Sequence, residues 1–237
     1  MRTPTSSDIG QTPLLENVSC YGKAESWPLG LYLTALVGTK HPAERDNHLS
    51  MTGMSDEQLE AIRVGSPQPQ YQPIVVADYD PIWPHWFESA AFRIREALGD
   101  RVLQLDHVGS TSVRGLPAKP LIDINLVVAD TTDEGAYVPP LEAIGYELRI
   151  REPDWYEHRL LRGFDPPVNL HVFPQSCEEV DQMLLLRDWL RTHDDDRELY
   201  ARTKRELAAK EWKYVQNYAD AKTDVIQGIL ARARRPT

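Results

Sequence analysis

Residues 106–124 read Asp-His-Val-Gly-Ser-Thr-Ser-Val-Arg-Gly-Leu-Pro-Ala-Lys-Pro-Leu-Ile-Asp-Ile. The stretch joins two apolar segments through a region rich in glycine, hydroxyl and proline residues. This pattern predicts a strand from Arg101 to Val108, a loop from Gly109 to Pro120 and a second strand from Leu121 to Ala129.

The loop carries residues that suit phosphate binding. Gly109 lets the backbone approach a ligand, and Ser110 and Thr111 offer hydroxyl groups. A Walker P-loop is excluded, because five residues separate Gly109 from Gly115 and Lys119 follows too late. An ordinary turn made of glycine and proline explains the same composition, so both interpretations stand at this point.

Two polar side chains interrupt the apolar strand that follows the loop. Because side chains alternate between the faces of a strand, Asp123 and Asn125 share one face. A buried aspartate is costly unless a metal ion, a cationic partner or solvent in a cleft compensates its charge. A structural aspartate bonded to loop amides is the alternative.

The same alternation applies to Val168–Phe173, where it predicts Asn169, His171 and Phe173 on one face. His171 could then stand beside Asp123 on a neighbouring strand, as a general base, a metal ligand or a partner of the carboxylate. A packed, hydrogen-bonded histidine is the alternative.

Shorter patterns predict the elements around this unit. Apolar residues at helical spacing indicate a helix that starts at Trp83 and ends at Gly99. The other predicted elements in this region are strands at Pro73–Ala77, Tyr146–Ile150, Glu157–Arg162 and Val168–Phe173, and a short helix at Pro139–Ile144.

The C-terminal part has helical patterns. Ser176 with Glu179 three residues later predicts a capping box at the start of a first helix. A second helix carries Leu199–Leu207, and a third is predicted from Glu211 to Ala233. The acidic run Asp194–Asp196 is expected to cap the start of the second helix.

Composition narrows the classes of function. The chain has 26 Lys and Arg against 36 Asp and Glu, and its formal net charge of −10 disfavours generic nucleic-acid binding. Its two cysteines, Cys20 and Cys177, are too few for a disulfide framework. No stretch approaches the roughly 20 apolar residues that span a bilayer. We therefore expect a cytoplasmic protein without membrane contact.

Residues 1–53 mix small, polar and charged residues without a sustained period, which predicts a poorly ordered extension. Met51 and Met54 resemble chain starts, and one hypothesis is that the first 50 residues are not translated. A short helix and a linker are expected over residues 54–72, followed by one domain over residues 73–234.

The segment 106–124 resembles the signature of the GrpB family, in which a glycine-serine loop leads into a Lys-Pro pair and an Ile-Asp strand. Further segments that fit this family are Tyr79–Phe87, Asn169–Phe173 and Leu186–Leu190, with Tyr200 and Lys204 beyond them. The family is similar to the nucleotidyltransferase superfamily. This resemblance implies an α/β (α+β) fold, a nucleotidyltransferase-like mixed β-sheet flanked by helices, with a C-terminal helical bundle.

The resemblance also implies a site for a nucleotide and a divalent metal, Mg²⁺ or Mn²⁺. Asp123 and His171 are the implied catalytic residues, and Asp123, Asn125 and His171 are the implied metal ligands. The residues implied for nucleotide binding are His107, Gly109, Ser110, Thr111, Ser112, Lys119, Arg187 and Lys204.

One departure from the superfamily pattern bears on catalysis. Asn125 stands where the second aspartate of a two-metal site is expected, and the imidazole of His171 is a poor ligand for Mg²⁺. The trio therefore supports at most one tightly held metal, for which Mn²⁺ or Zn²⁺ is better suited.

Two functions remain open from the sequence. The first is a nucleotidyltransferase-like enzyme that binds a nucleotide or another phosphorylated small molecule. The second is a non-catalytic accessory protein that binds a nucleotide or a nucleotide-containing cofactor. Because some members of the family are fused to dephospho-coenzyme A kinase, the resemblance links this second function to coenzyme A metabolism.

Overall fold

The computed structural model describes residues 56–64, 74–212 and 215–235. The strands are β1 (Gln104–Val108), β2 (Ile122–Val128), β3 (Glu147–Glu152), β4 (His158–Phe164) and β5 (Pro167–Pro174). They form one five-stranded sheet in the order β1-β2-β5-β4-β3. β2 and β5 are parallel, and the other neighbouring strands are antiparallel.

Helices cover both faces of this sheet. The helices of the described ranges are α1 (Asp56–Ala61), α2 (Trp83–Leu98), α3 (Glu134–Ala143), α4 (Glu178–Thr192), α5 (Asp194–Ala208), α6 (Val215–Asp220) and α7 (Thr223–Ala233). The predicted fold class, a mixed sheet flanked by helices with a C-terminal helical group, is confirmed.

The two faces of the sheet differ in chemistry. Ile122, Ile124 and Leu170 pack with α2 and α3 in the largest apolar core. On the opposite face Val127 and Phe173 pack against the start of α4. The alternation predicted for β2 and β5 is therefore confirmed, and the polar positions of both strands face the side of α4.

The C-terminal helices pack onto the loop between β1 and β2. Val113 and Leu116 of that loop share an apolar cluster with Leu190, Tyr200 and Ile229, which lie on α4, α5 and α7. The loop is thus held between the sheet and three helices.

The strand predicted at Pro73–Ala77 is wrong for its described residues. Only Ala77 pairs, in an isolated bridge with Ala118, and each residue donates its N–H to the carbonyl of the other. Pro117 and Pro120 lie beside Ala118, and because proline has no N–H to donate, a ladder cannot extend along this segment.

The predicted capping box is also wrong. α4 begins at Glu178, after Cys177, and no side chain caps it. Ser176 adopts a left-handed backbone with φ of 60°, so it lies outside the helix. Glu179 is fully buried instead of bonding back to the helix start.

Other boundaries differ from the prediction. The helix predicted at Pro139–Ile144 begins earlier, at Glu134, and includes both prolines. The single helix predicted over Glu211–Ala233 is two helices, α6 and α7, separated by a turn at residues 221–222. That turn places Lys222 within electrostatic range of Asp123.

Residues 1–53, the hypothesis that the first 50 are not translated, and Tyr214 fall outside the described residues. Within the described ranges, none of the helices combines the length and the apolar character required to traverse a bilayer.

Candidate functional site

The loop after β1 begins directly over the carboxylate of Asp123. Val108 and Asp123 are paired positions of β1 and β2, and Gly109 follows with φ of +67°. A Cβ atom on Gly109 would lie 2.3 Å from Oδ2 of Asp123. Glycine is therefore required here for two reasons, its left-handed backbone and its close approach to Asp123.

Hydroxyl groups of the loop stabilise its own backbone. The Ser112 hydroxyl donates to the Gly109 carbonyl at 2.6 Å, and the Thr111 hydroxyl donates to the Leu121 carbonyl at 3.3 Å. Both side chains are buried. The Ser110 hydroxyl is half-buried and shares a hydrogen bond with the phenol of Tyr200. Among these hydroxyls, Ser110 is the one placed to reach a ligand.

His107 packs against α2 and not beside the Asp123 carboxylate. Its ring stacks on Phe87 of α2, with centroids 4.8 Å apart, and its Nε2 lies 3.0 Å from the Thr111 hydroxyl. Burial lowers the pKa of His107 to about 4. The ring is therefore neutral and packed on the α2 side, opposite to the face that carries Asp123.

Polar side chains from three strands meet at Asp123. Asn169 of β5 donates from Nδ2 to Oδ1 of Asp123 at 3.0 Å, and Arg162 of β4 donates to Oδ1 of Asn169 at 2.9 Å. His171 stands beside them, with Nε2 3.8 Å from Oδ1 of Asp123. The Asp123 side chain keeps 19% of its surface exposed, so the group opens to solvent through the carboxylate.

Three lysines gather around the same carboxylate. Burial lowers the pKa of Lys119 to about 7 and that of Lys222 to about 8, and it lowers the pKa of Lys204 well below its usual range. Repulsion from Lys222 lowers the pKa of Lys119 and Lys204 further, whereas Asp123 raises the pKa of all three. Three basic groups, each disfavoured in its charged form by burial, thus lie within electrostatic range of Asp123.

The lysine side chains are held by aromatic rings and by the loop. Lys204 donates from Nζ to the Pro117 carbonyl and lies 4.7 Å from the centre of the Tyr200 ring. Lys222 lies 4.8 Å from the centre of the Tyr218 ring. Arg162 adds a fourth cation, and burial lowers its pKa to about 10 while Asp123 raises it.

Arg187 is used in packing. Its guanidinium donates to the His107 carbonyl at 3.1 Å and pairs with Asp188 at 2.8 Å. It also lies 3.6 Å from Asp106. These contacts tie α4 to the end of β1, beside the loop.

Asn125 is completely buried, and both polar atoms of its amide lack a hydrogen-bond partner within the described part of the chain. It pairs in register with His171, whose Nε2 also has no hydrogen-bond partner there. Across residues 56–64, 74–212 and 215–235, His, Cys, Asp and Glu side chains form no group of three or more that could hold a metal ion. A metal would therefore depend on Asp123 with few other protein ligands.

Sequence reasoning did not assign Asn169 to the site, and it offered Arg162 and Lys222 only as basic residues that could face an anionic ligand. Strand alternation places Asn169 on the face of Asp123, and this signal was available. Arg162 and Lys222 come from elements distant in the sequence, and only the strand order and the turn before α7 bring them to Asp123.

Comparison with known proteins gives concordant matches. A family model described as GrpB protein matches residues 73–232. A UPF0157 protein of Halalkalibacterium halodurans is 53% identical over 192 residues, which are 81% of this chain and 98% of that protein. A dephospho-CoA kinase of Mycolicibacterium paratuberculosis is 29% identical over 187 residues, which are 68% of this chain and 46% of the kinase.

One solved structure agrees with the fold, and a second shows a weaker likeness. The crystal structure of a conserved protein GrpB from Enterococcus faecalis matches with a TM-score of 0.60 and 29% identity, covering 67% of this chain and 96% of that one. The Cid1 poly(U) polymerase with Mg and 3'-dATP matches with a TM-score of 0.42 and 11% identity, covering 56% of this chain and 44% of that one. This second likeness is too small to support an argument about the chain.

Proposed function

Because the chain belongs to the GrpB family, we propose that it binds the phosphate groups of a nucleotide beside Asp123, together with a divalent metal, as a nucleotidyltransferase-like protein. The Gly109–Ser110 segment would bring backbone and hydroxyl groups to the phosphates. Lys119, Lys204 and Lys222 would supply the positive charge.

The observation that carries this proposal is the group of basic side chains around the Asp123 carboxylate. These side chains are Lys119, Lys204, Lys222 and Arg162. Burial, together with repulsion from Lys222, lowers the pKa of Lys119 and Lys204. The positive charges of these two lysines are therefore unfavourable in the free site. An anion of several charges would relieve this repulsion, and amine groups bind phosphate oxygens as strong, charge-assisted donors. A triphosphate fits this charge better than a neutral ligand does.

A divalent metal fits Asp123. The carboxylate is partly exposed, one oxygen lies against Gly109, and the other accepts from Asn169. Mg²⁺ and Mn²⁺ prefer carboxylate oxygens and commonly complete their shells with water and substrate phosphates. When bound, the metal would neutralise phosphate charge. His171 would assist proton transfer at the same place.

A non-catalytic binding function is the second candidate, and one observation favours it. Asn125 brings no charge, so the sheet offers one carboxylate where two-metal phosphoryl transfer uses two or three. The similarity to a dephospho-CoA kinase supports a cofactor such as a coenzyme A precursor as the ligand in that case. Both candidates share the same phosphate-binding residues.

Calorimetric titration tests the shared proposal. ATP, GTP, CTP, UTP and dephospho-coenzyme A are each titrated into the full chain, with and without Mn²⁺. We expect heat of binding for at least one of these ligands and, in the presence of Mn²⁺, a large loss of affinity in Ser110→Ala and Asp123→Ala. If no ligand binds, or if both variants bind as wild type does, the site is misplaced.

Product analysis separates the two candidates. The ligand that binds is incubated with the protein and Mn²⁺, and release of pyrophosphate is measured. Pyrophosphate that disappears in Asp123→Ala supports the enzyme. Tight binding without any product supports the accessory protein.

A further inference from the structure

A row of three buried side chains leads from β3 to the site. Glu152 Oε2 lies 2.7 Å from His158 Nδ1, and His158 Nε2 lies 3.1 Å from His171 Nδ1. The row ends at His171 Nε2, 3.8 Å from Oδ1 of Asp123. Both imidazoles have no exposed surface, and 3% of Glu152 is exposed.

Aromatic packing fixes the geometry of this row. The two imidazole rings stack at an interplanar angle of 20°, and Phe173 stacks on His158 with centroids 4.7 Å apart. The Trp155 ring covers the edge of His158, with centroids 5.1 Å apart. These contacts exclude water, so Glu152, both nitrogens of His158 and Nδ1 of His171 must satisfy their hydrogen bonds within the row.

The hydrogen bonds restrict which nitrogens carry protons. A neutral imidazole has one N–H and one lone pair, and the bond between the rings needs one of each. Both rings must therefore carry their proton on the same kind of nitrogen. If Glu152 is ionised, both carry it on Nδ1, whereas if Glu152 is protonated and donates to His158, both carry it on Nε2.

The cost of buried charge decides between these arrangements. An ionised Glu152 would be a buried negative charge with only a neutral imidazole as its partner, which is unfavourable. Burial raises the pKa of Glu152 to about 8. The arrangement without net charge, with protonated Glu152 and both protons on Nε2, is favoured.

We propose that Glu152 and His158 are positioning residues that fix the tautomer of His171, so that Nε2 carries a proton directed at the Asp123 site. The role of this proton toward a ligand rests on the proposed function, whereas its position on Nε2 does not. The distance of 3.8 Å to Asp123 exceeds a hydrogen bond, so this N–H is left to donate to an oxygen of the bound ligand. His171 thereby acts as a hydrogen-bond donor at the site.

Nitrogen-15 NMR of the histidine rings tests this inference on the full chain without ligand or metal. At neutral pH we expect His158 and His171 each to show a proton on Nε2 and a lone pair on Nδ1. Glu152→Gln should keep this pattern, because its amide can donate to His158 as the protonated carboxyl does. Glu152→Leu should lose it, with His171 becoming a mixture of both tautomers.

Glu179→Gln is the matched control, because Glu179 is another buried glutamate whose pKa burial raises to about 8, outside the row. It should leave the signals of both rings unchanged. A proton on Nδ1 of His171 in wild type, or a charged imidazole, overturns the proposal. If Glu152→Leu fails to fold, the tautomers of His158 and His171 in the wild-type protein still decide whether the proposal holds.

These spectra are independent of the nucleotide titrations. If the tautomers are as stated and no nucleotide binds, the row stands and the proposed function fails. If a nucleotide binds and His171 carries its proton on Nδ1, the proposed function stands and the positioning role fails.

Discussion

Gly109 and Asp123 are in such close contact that Gly109 has no room for a side chain. A side-chain carbon on Gly109 would lie 2.3 Å from Oδ2 and 3.0 Å from Cβ of Asp123. The contact reaches the atom attached to the strand backbone, so rotation of the Asp123 side chain cannot relieve it. The loop and the strand therefore hold one geometry, with the phosphate-binding candidates beside the carboxylate.

Gly109→Ala tests this contact. A backbone with φ of 67° and ψ of −173° alone costs an alanine about 1–3 kcal/mol, and the collision with Asp123 adds to it. We expect a loss of unfolding free energy in urea and a loss of ligand affinity. Gly115→Ala is the control, because Gly115 has φ of +80° and nothing within 4 Å of the added carbon. Equal losses in both variants would show that the contact with Asp123 does not matter.

Removing one lysine charge should separate affinity from stability. Lys119→Met and Lys222→Met should each weaken nucleotide binding roughly 10-fold or more, as expected for a charge-assisted hydrogen bond. Because burial disfavours the removed charge in the free site, both variants should be at least as stable as wild type at pH 7 in urea. Lys210→Met, at an exposed position, should change neither quantity. Unchanged affinity in both site variants would contradict the proposed site.

Stability should rise with pH in the mildly alkaline range. The folded pKa of Lys119 is about 7 and that of Lys222 about 8, against about 10.4 in an unfolded chain. The unfolded state therefore binds more protons at these lysines. Below pH 8 the buried Glu152 and Glu179 act in the opposite direction, because their folded pKa values of about 8 exceed the value in an unfolded chain. Above these values the lysines dominate, so the free energy of unfolding increases from about pH 8.5 to about 9.5. Urea unfolding over this range measures the slope.

The double variant Lys119→Met/Lys222→Met should flatten this slope, and Lys210→Met should retain it. Binding of a phosphate ligand should weaken over the same pH range, because the deprotonated amines no longer attract it. A stability that falls between about pH 8.5 and about 9.5 in wild type would contradict the lysine pKa shifts.

The acidic run at the start of α5 has a different role from the predicted cap. No side chain caps α5, and Asp196 instead accepts from Trp189 at 2.7 Å and pairs with Arg232 of α7. Asp196→Asn should lower the unfolding free energy by about 1.5–3 kcal/mol, the value of a hydrogen bond to a charged group. Asp195→Asn, at an exposed neighbour, should change it little. Similar effects of both substitutions would favour a general effect of charge near the helix start.

Local patterns predicted the centre of the fold. Period-two alternation placed Asp123 and His171 on one face of their strands, because a strand has only two faces to offer. The loop from Gly109 was predicted because glycine, hydroxyl and proline residues separate two apolar segments of the sequence. Helix ends were predicted less well, since the left-handed backbone at Ser176 depends on how α4 packs.

Long-range assembly could not be predicted from the sequence. Arg162 and Lys222 reach Asp123 because of the strand order and the turn between α6 and α7. The row from Glu152 to His171 requires β3, β4 and β5 to be neighbours in a particular register. Neither relation leaves a periodic signal in the residues themselves.

The Asp123→Asn variant, titrated with ATP in the presence and absence of Mn²⁺, tests the central claim most directly. Without metal, loss of the negative charge should strengthen binding, because the carboxylate repels phosphate. With Mn²⁺, the variant should bind more weakly than wild type, because the metal has lost its ligand. Opposite changes of the two dissociation constants would support Asp123 as the metal-holding centre of a phosphate site, whereas equal dissociation constants for wild type and variant under both conditions would contradict it.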